Sequence, residues 1–290
     1  EDQPAMVVIE MAPPSDAVLE RVFDFASTLT AHVPNDRYHA YQASLHLPCV
    51  PASVTLINPA LPADVDKYSD KPLALVRETP RLYESVVAPR LHAVPRSRAE
   101  WLANIVAGTA EAEHVLARWG EDGWEHGPGV SGGGVVEGDV GSLGGFVVLP
   151  NMGTDMTSPE GTQLLAIAAN PRMWTIRNLR GVHVPSLQRM RTNVAALLRE
   201  RLGDSVVGDT EAASGDGADP LGPQWVCYFH YPPSYPWLHI HIHHVSNAKL
   251  DFKTRHLDEV LDALRDRGDH FERCTLRYLA DASDSELMGR

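Results

Sequence analysis

The chain has 290 residues, 43% of them hydrophobic and 22% charged, which is a globular composition long enough for one large domain or two smaller ones. A net charge of −13, from 25 basic and 38 acidic residues, argues against a protein that grips long nucleic acid by neutralising phosphates, though a small anionic ligand needs only a local electropositive pocket. No apolar run of about 18 residues and no charged-then-apolar opening segment occurs, so neither a membrane span nor secretion is expected. Cys49, Cys227 and Cys274 are too few and too scattered for a disulfide framework, which points to a reducing interior.

In chain order, residues 6–9 (MVVI) predict a short strand, residues 16–32 a helix through Leu19, Val22, Phe23 and Phe25, and residues 52–59 (ASVTLINP) a strand. The proline-rich stretch 59–72 is the best candidate linker. Residues 97–108 (SRAEWLANIVAG) read as a helix capped by Ser97 and stopped near Gly108. AEAEHVLARW and GGFVVLP read as two strands joined across a glycine-dense insertion, expected to be a mobile surface loop. PSLQRMRTNVAALLRERLG is an amphipathic helix with Pro185 in its first turn, an apolar stripe of Leu187, Met190, Val194, Leu197 and Leu198, and Gly203 at its end. After a second flexible insertion, QWVCYFHY predicts a strand joined by a PPSYP hairpin to a strand over the histidines. RHLDEVLDALRDRG predicts a helix ending at Gly268, and CTLRYL a last strand.

The chemistry concentrates in WLHIHIHHVS, residues 237–246. Period-two alternation places His239, His241 and His243 on one face and Leu238, Ile240, Ile242 and His244 on the other. Three readings compete. Buried imidazoles that only hydrogen-bond would need many partners on one face. A zinc site could take two nitrogens from an HxH pair, but no Cys or HxxE pattern offers the remaining ligands. A nucleophilic site, in which one ring attacks phosphorus while its neighbours orient it and hold phosphate oxygens, explains the repetition best. A GxSxG match at Gly129–Gly133 lies in the glycine-rich insertion without the strand and helix of a nucleophile elbow, and no P-loop, HExxH or dinucleotide fingerprint is present.

HIHIHHV resembles the signature of the histidine-triad superfamily, with His244 where an apolar residue is usual. HYPPSYPWLHIHI, LVRETPRLYESVVAPRL, AEWLANIVAGTAEAEHVL and IRNLRG resemble, in order, segments of the scavenger mRNA-decapping enzymes, from about Lys67 to Tyr278. The resemblance implies hydrolysis of the cap dinucleotide or very short capped oligonucleotides to 7-methyl-GMP and a nucleoside diphosphate, without metal or other cofactor. It implies an α+β fold, with a histidine-triad domain over 76–290, a smaller N-terminal dimerisation or lid domain over 1–64, and a hinge over 65–75. A homodimer in the cytoplasm and the nucleus is expected, with no long nucleic acid and no membrane as partner.

The resemblance also assigns residues. Trp101 matches the tryptophan that stacks on 7-methylguanine, where a cationic ring gains about 0.5 to 2 kcal/mol of cation–π attraction, and Glu111 matches the carboxylate that receives the base's two-donor edge. On one straight helix the two would lie about 15 Å apart along the axis, so a break near Gly108 is required. Taken singly, Trp101 reads as a core aromatic and Glu111 as a solvated residue; their joint match favours the site. Asn151 and Met152 fall on the family's ligand-contacting segment, and Gly153 stands where the family has a phosphate-binding lysine. Lys71, Lys253 or Arg255 is the candidate replacement. His230 and Ser234 match phosphate-side positions. Matching the triad itself makes His241 the attacking imidazole flanked by His239 and His243, whereas an ungapped match from HYPPSY makes His239 the nucleophile and puts Trp237 in place of the first triad histidine. The first register is preferred, because a hairpin loop absorbs insertions more readily than a catalytic strand loses an imidazole. Two alternatives stay open: another histidine-triad hydrolase of dinucleoside polyphosphates or phosphoramidates, and a cap-binding protein without turnover.

Overall fold

The computed structural model describes the backbone of 6–11, 26–35, 38–45, 52–57 and 123–126, and residues 71–95, 99–120, 141–151, 154, 156–207, 219–248 and 250–289. The chain divides into two compact units, Glu1–Lys71 and Pro72–Arg290.

In the first unit β1 (Met6–Met11) pairs antiparallel with β4 (Ala52–Ile57), and β2 (Ala26–Asn35) with β3 (Tyr38–Leu45). The expected helix over 16–32 is therefore corrected over 26–32, which forms strand. Its alternating Thr28 and Thr30 suit a pleated ribbon, and pairing with β3 outweighs the partial helical spacing further upstream. Residues 16–25, Cys49 and most of the candidate linker lie outside the described residues.

The second unit is α+β. It opens with β5 (Leu73–Glu78) and a helical stretch from Pro80 to Ala93 that includes a π turn, Tyr83–Val87. Then come α1 (Glu100–Ala107), β6 (Ala117–Gly120), β7 (Gly123–His126), β8 (Phe146–Pro150), β9 (Gln163–Ala168) and α2 (Val184–Leu202). The unit closes with β10 (Trp225–His230), β11 (His239–His244), β12 (Thr254–His256), α3 (Leu257–Asp266), α4 (His270–Arg273) and β13 (Leu276–Asp281). Seven strands form one antiparallel sheet in the order β12-β10-β11-β9-β8-β6-β7, while β13 pairs with β5 in a separate ribbon.

The stripe expected on α2 is the buried one: Leu187, Met190, Val194, Leu197 and Leu198 join Val260, Leu261 and Leu264 of α3 in one core with Ile240 and Ile242 of β11. Each such side chain contributes roughly 1.5–3 kcal/mol relative to exposure. On the opposite face a smaller cluster packs Leu102, Ile105 and Val106 of α1 against Leu165, Ile167 and Trp237. The alternation of β11 is thus answered by the packing, with apolar side chains under α2 and α3 and the odd-numbered histidines toward the α1 side.

Two expectations near α1 are corrected. The strand predicted over 110–119 begins only at Ala117, because Glu111 sits in a turn with φ of 52°. Part of the glycine-dense insertion is ordered as β7, hairpin partner of β6; its residues 127–140 and Ser97 lie outside the described residues. Beneath the ribbon, the fully buried Glu78 carboxylate accepts hydrogen bonds from Arg177 at 2.6 Å, Tyr231 at 2.5 Å and Tyr278 at 2.8 Å. The same guanidinium donates to the carbonyls of Phe271 and Cys274 at 2.6 and 2.8 Å. This network fixes Tyr231, the residue after His230.

Candidate active site

Strand β11 presents His239, His241 and His243, and the neighbouring β10 adds Tyr228 and His230 on the same face, since Tyr228 stands opposite His241. The rings form one contiguous patch. His241 stacks on Tyr228 at 5.1 Å between centroids and on His230 at 4.6 Å, while His239 and His243 meet it edge-on at 5.2 and 5.5 Å. His244 points the other way, edge-on to Trp225 at 5.5 Å with Nδ1 3.0 Å from the Ser246 hydroxyl, so this departure from the apolar pattern is absorbed into the packing.

The hydrogen bonds distinguish the rings. His239 Nδ1 lies 2.7 Å from the Trp237 carbonyl, which can only accept, so Nδ1 carries the proton and the neutral ring has its lone pair on Nε2. His243 Nδ1 is 3.2 Å from the Tyr228 hydroxyl. Burial pushes that phenol up to about 12, so the hydroxyl keeps its proton and is available to the ring as a hydrogen-bond partner. Both nitrogens of His241, and Nε2 of His230 and of His243, are buried without a hydrogen-bond partner among the described residues. Each unmet buried polar group costs roughly 1–3 kcal/mol, so four on one patch mark a surface built around something other than its own fold.

The patch is electrically neutral near physiological pH. Burial pushes His241 down to about 2, with His239, His230 and His243 adding to the effect, and pushes His243 down to about 4. Burial also lowers His239 and His230, the latter against the nearby Asp251 and with help from Lys253. Unprotonated imidazoles are nucleophiles and hydrogen-bonding partners for phosphate; imidazolium ions would repel one another at these distances.

Trp101 projects from the first turn of α1, remains 38% exposed, and meets Tyr235 edge-to-face at 5.4 Å. Tyr235 lies in the hairpin joining the two histidine strands, so the exposed indole packs on that hairpin. Helix α1 ends where the sequence requires: Gly108 closes it with φ of 74°, and Arg118 donates to the carbonyls of Val106 and Ile105 at 2.8 and 2.6 Å. The chain then turns to Glu111, exposed and in the left-handed region, a conformation of modest cost that recurs at functional sites.

Ser234 and Lys253 line a cleft of about 330 Å³ with Pro232 and Pro233. Asn151 is half-buried at the end of β8, its N–H bonded to the Gln163 carbonyl. Met152 and Gly153 lie outside the described residues, and Lys71 ends the first unit. The structure thus brings together His230, His239, His241 and His243, with Ser234 and Trp101 at the hairpin beside them. Sequence reasoning missed Tyr228, although counting back by two from His230 puts it on the same face. It also missed His256, opposite Tyr228 on β12. Among the described residues, no group of three or more His, Cys, Asp or Glu side chains is arranged to hold a metal ion. No helix among them is long and apolar enough to cross a membrane.

Residues 100–256 match the family model described as "Scavenger mRNA decapping enzyme C-term binding", a span holding Trp101, Glu111 and every histidine of the patch. The m7GpppX diphosphatase of Schizosaccharomyces pombe is 30% identical over 253 residues, 84% of this chain and 71% of that protein. Those of Bos taurus and Homo sapiens are 25% and 23% identical over 288 and 293 residues, each covering 98% of this chain and 74% of the relative.

Proposed function

The chain belongs to the scavenger mRNA decapping enzyme family, and from that premise we propose that it hydrolyses the methylated cap dinucleotide, and short capped oligonucleotides, to 7-methyl-GMP and a nucleoside diphosphate. The observation that carries this reading is the patch of neutral imidazoles with unmet nitrogens beside the exposed Trp101.

His239 is the attacking imidazole in this reading, the register set second from sequence alone. Its tautomer is fixed by the Trp237 carbonyl with the lone pair on Nε2, whereas neither nitrogen of His241 has a hydrogen-bond partner among the described residues to fix its tautomer. Nε2 of His239 forms a bond to the phosphorus bearing methylguanosine, and the bond from that phosphorus to the bridging oxygen breaks, releasing the nucleoside diphosphate. Water then attacks the same phosphorus, the P–N bond breaks, and 7-methyl-GMP leaves with the neutral ring restored. The His243 and His230 rings hold phosphate oxygens and supply the proton for the leaving oxygen. His241, stacked on Tyr228 and His230, orients the row.

Trp101 stacks on the methylated base, Glu111 accepts from its N1–H and amine, and Asn151, Met152 and Ser234 complete the ligand surface. Lys253, beside Ser234, is the nearest candidate within the second unit for the phosphate-binding cation, with Lys71 as the alternative. The chain acts as a homodimer in a reducing compartment, cytoplasm or nucleus, with 65–75 as the hinge between the lid domain, 1–64, and the catalytic domain, 76–290. Comparing kcat/KM for methylated GpppG with that for a dinucleoside tetraphosphate tests the assignment: preference for the cap is expected. The reverse preference would leave another histidine-triad hydrolase, and tight cap binding without products a binding protein.

A further inference from the structure

A second cleft, of about 580 Å³, lies at the edge of the catalytic unit between the β5–β13 ribbon and the loop leading into β12. Its walls are Arg77, Arg255 and Arg277, with Asp251, Phe252 and Thr275. Arg77 and Arg277 stand directly opposite each other in the ribbon and both are exposed. Like charges facing across two strands destabilise the pair, and neither guanidinium has an ion-pair partner among the described residues. Arg255 is held between them and the loop by donating to the carbonyls of Phe252 at 3.0 Å and Thr254 at 2.6 Å, and to that of Arg277.

The acidic groups nearby do not cancel this charge. Asp251 and Glu259 both act on Arg255, Asp251 while also accepting in its own turn from the Lys253 N–H at 2.8 Å and the Thr254 hydroxyl at 3.3 Å, which leaves Arg77 and Arg277 without an acidic ion-pair partner among the described residues. Phe252 is 61% exposed at the rim, an aromatic face that nothing in the fold requires to be in water. Guanidinium groups beside an exposed aromatic ring are the combination that single-stranded nucleic acid selects: charge for phosphates and a flat face for a base.

The cleft is joined to the imidazole patch by covalent neighbours. Lys253, next to Phe252, accepts at its carbonyl from the Tyr231 N–H at 2.7 Å, Thr254 stands opposite His230, and the Lys253 side chain lines the cleft that holds Ser234. The two clefts therefore flank one loop, Asp251–Lys253. We propose that the cleft of Arg77, Arg277, Arg255 and Phe252 binds the nucleotides that follow the cap in a short capped RNA. The reading rests on the cap hydrolysis proposed above and gives that site a specificity for chain length. It also reconciles an acidic protein with an RNA substrate, because the groove gathers three arginines on one short stretch of surface.

The test is equilibrium binding of a fluorescent capped pentaribonucleotide with a methylene-bridged, uncleavable cap, beside the matching cap dinucleotide, across a salt series. The parent should bind the pentanucleotide about tenfold more tightly at low salt. Its logarithmic salt slope should be steeper by about 1.4, the share of two phosphates on a single strand. Arg77→Gln with Arg277→Gln should remove both differences while leaving dinucleotide binding and hydrolysis unchanged, which also certifies the fold. Phe252→Ala should weaken only the pentanucleotide, about five- to tenfold, without altering the slope. Equal affinity for both lengths in the parent, or a length preference that survives the double substitution, overturns the proposal. If the preference depends on the arginines but cleavable cap dinucleotide is never hydrolysed, the cleft stands and the hydrolase reading fails.

Discussion

His239 donates its Nδ1 proton to the carbonyl of Trp237 across 2.7 Å, and that contact sets the ring's other nitrogen as the lone-pair bearer of the patch. A ring so fixed needs no tautomer change before it attacks. His239→Asn should therefore reduce kcat by about 1000-fold or more while cap affinity stays within a few-fold, since only the attacking nitrogen is lost. His241→Asn should leave measurable turnover, about 10- to 100-fold below the parent. Rapid-quench kinetics on both variants separates the registers: turnover by His239→Asn with none by His241→Asn would make His241 the nucleophile.

The lowered imidazole pKa values fix the sign of the pH response. His243 titrates near 4 in the folded chain and near 6.5 unfolded, so between these values the unfolded state binds more protons. Its contribution to stability is complete above about 6.5 and is lost as pH falls toward 4. Urea denaturation at pH 7.5, 6 and 5 should give a falling midpoint with an unchanged slope. The pH at which activity falls should lie below that of a free imidazole, because burial lowers the attacking ring. A kcat profile that collapses with a midpoint at 6.5 or above would contradict the neutral patch.

Glu78 and Arg177 form the buried ion pair that ties β5 to Tyr231. Truncating one partner strands the other charge, so Arg177→Met should destabilise the chain by about 3–5 kcal/mol, read as a lower midpoint in chemical denaturation. A loss under 1 kcal/mol would mean that the pair is not closed in solution.

Methyl selectivity tests Trp101 and Glu111 together. Removing the 7-methyl group removes the positive charge of the base, so stacking and the carboxylate pair weaken at once, by a sum of about 2 to 4 kcal/mol, or about 30- to 1000-fold in affinity. Trp101→Ala should erase most of that preference, and Trp101→Phe part of it. Because charge stabilisation is assigned to imidazoles and hydrogen bonds, chelator treatment should leave the rate unchanged; loss restored by zinc would revive the metal reading.

The sequence made the histidine strand and α2 legible because period-two and helical spacing are local signals, and both sides of each pattern are used: Ile240 and Ile242 in the core, His239 and His241 in the patch. What it hid depends on distant partners. Strand β9, QLLAIA, is apolar on both faces because α1 covers one and α2 the other, so it shows no alternation, yet it pairs with β11 along its length. The β2 strand carries residues that tolerate either state and is decided by β3. The break at Gly108 was legible from glycine alone; Arg118, which holds the end of α1, was not, because its partners lie twelve and thirteen residues away. The proposed choice of His239 over His241 rests on a contact only two residues long, His239 Nδ1 to the Trp237 carbonyl, which no spacing rule carries.

The most direct measurement is hydrolysis of methylated GpppG in oxygen-18 water, with the products separated and weighed by mass spectrometry. Attack by His239 on the methylguanosine phosphorus, followed by water, predicts one heavy oxygen in 7-methyl-GMP and none in GDP. Heavy oxygen in GDP, or recovery of the substrate intact, would contradict the account.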